Sequence, residues 1–222
     1  MFSSKDTPYD PGLFEVTIGV LLSLSLGALL ACVFLMSRPV ERVRELPAEP
    51  KTGTVYYIEG SADSTSGRLW QGKREQFVDR QPGELALIED ELNSWARATF
   101  KDVPAEKDQS SALPVLKIST PNFRIQENVL QIVLEGNLQV YGTENKVVIQ
   151  IRGEVQPSGE GHRFVPSEVW VGGLEASKIP GAGAFVANRM LSSFVLPEEL
   201  TTAWNSLDYA KVEGRQLVLR MR

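Results

Sequence analysis

Residues 129–140 read VLQIVLEGNLQV, and residues 146–155 read KVVIQIRGEV. In the first stretch Leu130, Ile132, Leu134, Leu138 and Val140 project to one side, and Gln131, Glu135, Asn137 and Gln139 to the other. In the second, Val147, Ile149, Ile151 and Val155 oppose Lys146, Gln150, Arg152 and Glu154. Alternation with a period of two over this length predicts antiparallel strands with one buried face. Gly142, Thr143, Glu144 and Asn145 supply the turn between them. Phe123–Ile125 is expected to pair upstream through a turn at Glu127 and Asn128. Phe164–Val171 continues the meander, with Pro166 making it an edge strand or breaking it. Strands of about ten residues exceed the usual five or six, so the sheet should curve or twist strongly.

Working outward, Thr54–Ile58 suits a strand by its β-branched and aromatic content, and Arg68–Val78 suits a short helix. Leu85–Ile88 leads into a helix over Glu89–Phe100, where Leu92, Trp95, Ala96 and Thr99 share one face. Lys101–Pro114 is polar and reads as a loop. After the meander, Gly172–Pro180 runs into a helical stretch at Ala182–Val195 with Phe185, Val186, Arg189, Met190 and Phe194 on a largely apolar stripe. Pro197, Glu198 and Glu199 open another helix, with proline and acids where its first turn favours them. Gln216–Met221 closes the chain as an alternating strand. The fold class is therefore α+β, a long curved antiparallel meander packed against helices. Leu174, Ile179, Phe185, Val186 and Phe194 are expected to face Leu134, Leu138, Val147 and Ile149. They could enclose an apolar ligand. Direct packing without a cavity is the preferred reading, because most apolar helix faces simply fill cores.

The second decisive stretch is Val16–Met36, which carries no charge. As a helix it would span about 31 Å, close to a bilayer's hydrocarbon thickness. A cleaved signal peptide fits poorly. The preceding tail, residues 1–15, is mostly acidic, and the apolar run is longer than a signal core. Leu29-Leu30-Ala31-Cys32 resembles a lipoprotein acylation motif, but Val33–Met36 continue the apolar run past the cysteine. Residues 16–36 are read as a single transmembrane helix, 37–52 as a tether rich in proline and charge, and 53–222 as one α+β domain. Gly19, Ser23, Gly27 and Ala31 recur every fourth residue. They form a stripe of small side chains that could support a homodimer through the membrane helix. Arg38, Arg42 and Arg44 bias the following domain toward the cytoplasm, although Glu41, Glu45 and Glu49 interleave with them.

Composition excludes several classes. The net charge is −5, and no Lys/Arg cluster interleaved with aromatics invites nucleic acid. Anionic headgroups could be met only at the three arginines after the span. The single cysteine lies in the apolar run, so the domain has no disulfide. Gly181-Ala182-Gly183 opens a helix but lacks the rest of a dinucleotide fingerprint, and reads as a tight loop giving a helix room to pack. His162 is the only histidine. It lies beside a glycine-rich turn and is expected to be solvated. With no second histidine and no thiol in the domain, a histidine-based triad or a zinc site is not credible. Glu89, Asp90 and Glu91 suit the positive end of a helix better than catalysis. No catalytic residue, no cofactor and no metal are expected, and the chain is read as a non-enzyme.

The segment Val169-Trp170-Val171-Gly172-Gly173-Leu174, then Lys178-Ile179-Pro180, Phe185-Val186-Ala187-Asn188, Phe194, Pro197 and a final strand, resembles the YpmS-like family of bacterial single-pass membrane-anchored proteins of unknown mechanism. Glu91-Leu92-Asn93 resembles a helix start of the same group. The likeness spans roughly a third of the chain. It departs in the acidic tail, the arginines after the span and a longer C-terminal helical part. The resemblance implies a domain outside the cytoplasm, against the charge bias, and transfers no catalytic residue. Two functions stay open: a membrane-tethered module binding a lipid or other apolar ligand, and a scaffold positioning a partner complex at the membrane. The uncharged run predicts that the protein resists extraction from membranes by high salt and alkaline wash. Recovery in the wash would refute this. Cys32→Ser should leave localisation unchanged, whereas loss of anchoring in that variant would establish the lipoprotein reading.

Overall fold

The computed structural model describes residues 11–63, 65, 68–100, 116–140, 143–159 and 161–221, with backbone alone for 116–118, 137–140 and 143–145. Most of the acidic tail, the loop expected at Lys101–Pro114, the start of the turn at Gly142 and the side chains of Leu138 and Val140 lie outside the described residues. The chain divides into two units, Met1–Leu35 and Met36–Arg222. The first consists of helix α1, Leu13–Met36. Among the described residues it is the one helix long and apolar enough to cross a membrane. Gly19, Ser23, Gly27 and Ala31 are all exposed on it, and a Cβ at either glycine would meet nothing.

The second unit is built on a six-stranded antiparallel sheet. Its centre is β6, Val129–Val140, paired with β7, Thr143–Ser158. The register sets Leu134 opposite Ile149 and Ile132 opposite Ile151, so the predicted apolar face forms as read. Strands β4 (Leu116–Ile118) and β5 (Asn122–Gln126) flank β6, while β8 (Gly161–Val171) and β9 (Leu174–Glu175) extend the sheet beyond β7. Pro166 does not end β8. It lies opposite Gly153 at a register shift, where β9 does not reach. A Cβ at Gly153 would lie 2.2 Å from the Val165 carbonyl, so the close crossing requires glycine.

The apolar face is covered by a second sheet as well as by helices. Strands β3 (Gly83–Ile88), β10 (Leu207–Glu213) and β11 (Gln216–Met221) run antiparallel in the order β10-β11-β3. Leu85, Ala210, Val212, Leu217, Leu219 and Met221 join Leu130, Ile132, Leu134, Ile149 and Ile151 in one core. Strand β10 was not legible in the sequence, because it follows a helix without a turn signal and carries a bulge between Leu207 and Tyr209.

The opposite face is not simply solvated. Val133 and Val148 are buried there under Tyr57 and Val40. Those two covering residues belong to β1 (Val40–Val43) and β2 (Val55–Ile58), which pair in parallel. The expected tether over 37–52 is thus corrected: its early part is a strand of the folded unit. Arg42 is bound to Glu135 and lies 3.6 Å from Glu59, and its guanidinium sits 5.9 Å from the Tyr57 ring centre. Tyr57 donates its hydroxyl to the same Glu135. The hydrogen bond to Glu135 holds the Arg42 pKa above its usual value. Burial, then the bond to Glu135, raises that of Tyr57. Committed in this way, Arg42 is withdrawn from the arginines that could meet lipid headgroups. Elsewhere on this face Arg152 donates to Gln131 at 3.2 Å, and Gln131 to Gln150 at 3.2 Å.

The register gives a direct test. Ile149→Asp buries an unpaired carboxylate and should cost at least ~3 kcal/mol, enough to unfold a marginal domain. Gln150→Asp, half-buried on the polar face, should cost about 1 kcal/mol for its lost hydrogen bond. Equal urea midpoints for the two variants would show the register to be wrong.

Candidate ligand cavity

Between the two sheets and the helices lies a cavity of about 380 Å³. Leu130 and Ile132 of β6, Val155 of β7 and Leu217 and Leu219 of β11 line its sheet side. Its helical side comes from α2 (Leu69–Val78), α3 (Glu89–Thr99) and α5 (Glu198–Asn205), with α4 (Ala182–Leu191) contributing only its last residue. Large rings stand around it. Phe100 meets Trp95 and Phe194 edge-on, with ring centres 5.5 and 5.2 Å apart, and Trp95 lies 6.1 Å from Phe123. Rings that pack on one another around a perimeter keep a space open in a way that flexible aliphatic chains do not. Leu196, at 39 % exposure, marks the rim. Two larger grooves bordered by Arg80 have no such ring of large apolar side chains around them.

Helix α3 fixes one wall by hydrogen bonds rather than by apolar contact alone. Asn93, 1 % exposed, donates to the Phe123 and Ser61 carbonyls at 2.8 Å and accepts from the Phe123 N–H at 2.6 Å. It pairs with β5 as a neighbouring strand would. Gly60 allows the approach, since a Cβ there would lie 1.9 Å from the Phe123 carbonyl. Glu89 accepts from Ser61 at 2.6 Å and Ile125 at 3.0 Å, and Asp90 from Asp63 at 2.9 Å. Glu91 reaches back to the Ile88 N–H at 3.0 Å. The acids at the helix start are thus all in structural use.

Lys73, Glu91 and Arg74 on the cavity wall are paired. Lys73 Nζ lies 2.6 and 2.7 Å from the two Glu91 oxygens and donates to the Ala86 carbonyl at 2.6 Å. Glu91 is 1 % exposed. Arg74 is bound to Glu199. Among the described residues, no group of three or more His, Cys, Asp or Glu side chains is placed to hold a metal.

Of the residues expected to line an apolar interior, Phe194 alone lines this cavity. Leu174 and Val186 are half-buried, Val186 against the core. Ile179 is 38 % and Phe185 71 % exposed. The reason is steric. Helix α4 turns its small side chains, Gly183 and Ala187, inward, and a Cβ at Gly183 would lie 2.9 Å from Ser177 Cα. Phe185 lies about 200° from both around the helix and so faces outward. Gly181 adopts a left-handed conformation at the start of the helix, φ 78°, and serves the tight loop read there. The expected helix and sheet residues therefore do not enclose this space. The space lies under α2, α3 and α5, whose inward residues Trp70, Phe77, Leu92 and Trp95 define it. Spacing did carry that signal: Trp70 and Phe77 stand seven apart, Leu92 and Trp95 three apart. His162 is also corrected. It is half-buried and lines the cavity, and its carbonyl accepts from Trp204 Nε1 at 2.6 Å.

Fold and site together define an α+β domain with a partly open apolar cavity, preceded in the chain by one helix of membrane-crossing length and composition. Neither a scan against protein-family models nor a search of curated proteins finds a match. Lys73→Met should leave Glu91 buried and uncompensated, at a cost of about 3–5 kcal/mol. The pair Lys73→Met with Glu91→Gln should recover much of that loss in chemical denaturation. A neutral single variant would deny the pair its role in holding α2 to α3.

Proposed function

We propose that this is a membrane-anchored, non-catalytic binding protein that holds a lipid or other apolar molecule between its sheets and helices. The cavity is the observation that carries this reading. The space opens to solvent, and its apolar walls face water when it is empty. An apolar occupant would remove that surface from water, a favourable transfer. The volume falls within the ~300–1,000 Å³ typical of small-molecule sites. Helix α1 would supply the anchor and bring the domain near a source of acyl chains. The domain's side of the membrane is left open by opposing indications, the arginine bias and the resemblance to extracytoplasmic anchored proteins.

The full chain, released from detergent micelles in a native mass spectrometer, should carry a bound apolar molecule or take up a neutral naphthylamine dye. The double variant Val155→Phe and Leu217→Trp fills the space from both sheets. It should lose at least about tenfold in dye affinity while keeping its circular dichroism. A folded wild-type protein that is empty and takes up no dye would defeat the binding proposal and favour a scaffold that positions a partner complex.

A further inference from the structure

On the binding reading above, the ionisable groups around the cavity select the class of lipid. The chain as a whole is acidic, with a net charge of −5. The cavity is not. Among the described residues Lys73, Arg74 and Arg163 border it against a single acid, Glu91. Two of these cations are engaged within the protein, Lys73 by Glu91 and Arg74 by Glu199. Arg163 is exposed, and among the described residues its guanidinium has neither an ion pair nor a hydrogen bond. The residue opposite it on β7 is the uncharged Gln156.

The place of Arg163 in the fold gives that cation a use. Side chains alternate along a strand, so His162 and Phe164 share one face of β8 and Arg163 has the other. A space lying against one face alone meets two of the three side chains. This one is partly open and borders all three residues, which places its mouth at the edge of β8. Among the described residues that edge has no strand beside it here, since β9 pairs only with Trp170 and Val171. The mouth thus joins an exposed arginine to walls of apolar rings. A guanidinium stays charged at physiological pH and presents a planar fork of donors that matches a carboxylate or phosphate. We infer that the ligand is an acyl lipid with an anionic head group, its chain among the rings and its carboxylate or phosphate oxygens hydrogen-bonded to the Arg163 guanidinium at the mouth.

The test uses the full chain in a non-ionic amphipol, with the neutral naphthylamine dye displaced by matched pairs of probes. Tetradecanoic acid and tetradecanol differ in the head alone. Phosphatidylglycerol and phosphatidylcholine with the same chains differ in head group and net charge. At low salt the anionic member of at least one pair should displace the dye at a roughly fivefold lower concentration than its partner. Added salt should narrow the gap. A gap in the first pair supports a free fatty acid as the source of the anion, and a gap in the second supports a membrane phospholipid. Arg163→Gln should bring the ratio within a pair close to one, and Arg163→Lys should restore part of it. Equal displacement, or none, by both members of both pairs would overturn the anionic class. A ratio that persists in folded Arg163→Gln protein would overturn the assignment of Arg163. Failure of the wild-type chain to take up the dye at all would instead bring down the binding reading on which this rests.

Discussion

Leu134 stands opposite Ile149, and from that pair an apolar face runs along β6, β7 and β8. Everything else in the folded unit answers the need to cover it. A single helix could not, because an α-helix with its side chains is about 10–12 Å wide while neighbouring strands add nearly 5 Å each. The cover is therefore composite. The sheet of β10, β11 and β3 lies over part of the face, and α4 closes another part with Gly183 and Ala187 at short range. Where α2, α3 and α5 take over, the inward residues are tryptophan, phenylalanine and leucine. There the cover stands off from the sheet and the cavity results.

A wall that stands off must be held by something other than close packing. Here the holding groups are polar and buried. Asn93 satisfies both backbone groups of Phe123, and Glu89 ties α3 to Ile125 and Ser61. Glu91 with Lys73 links α3 to α2. Such groups are costly to bury and contribute mainly when each is fully bonded. Their geometry is directional, so they fix the position of a helix whose apolar contacts alone would allow it to settle inward.

The sheet was legible because apolar residues recur with a period of two at Leu130, Ile132 and Leu134 and at Val147, Ile149 and Ile151, and the register followed. The cover was less legible. Val133 and Val148 break the alternation by putting apolar side chains on the polar face. In that pair the sequence does carry the mark of the β1–β2 layer buried over them. Phe185 misled because size suggests burial, whereas helix α4 approaches its neighbours through its smallest residues. The cavity was not legible at all. Periodicity tells which residues face inward, but not whether opposing inward faces touch. That depends on side-chain volumes across elements far apart in sequence, such as Trp95 against Phe123 and Phe100 against Phe194.

The two faces of the large sheet put their polar residues to different ends. On the outer face Glu135 gathers Arg42 and Tyr57, so charge and hydrogen bonding secure a thin added layer, while Arg152 ties Gln131 and Glu168 together within the sheet. On the inner face Lys73 is paired with Glu91 and Arg74 with Glu199. A domain that only positions a partner needs no apolar hollow of this kind. Holding rigid rings apart with buried polar ties runs against stability. It makes physical sense where the space itself is used, which is why the hollow outweighs the exposed stripe on α1 in choosing between a binding role and a scaffolding one.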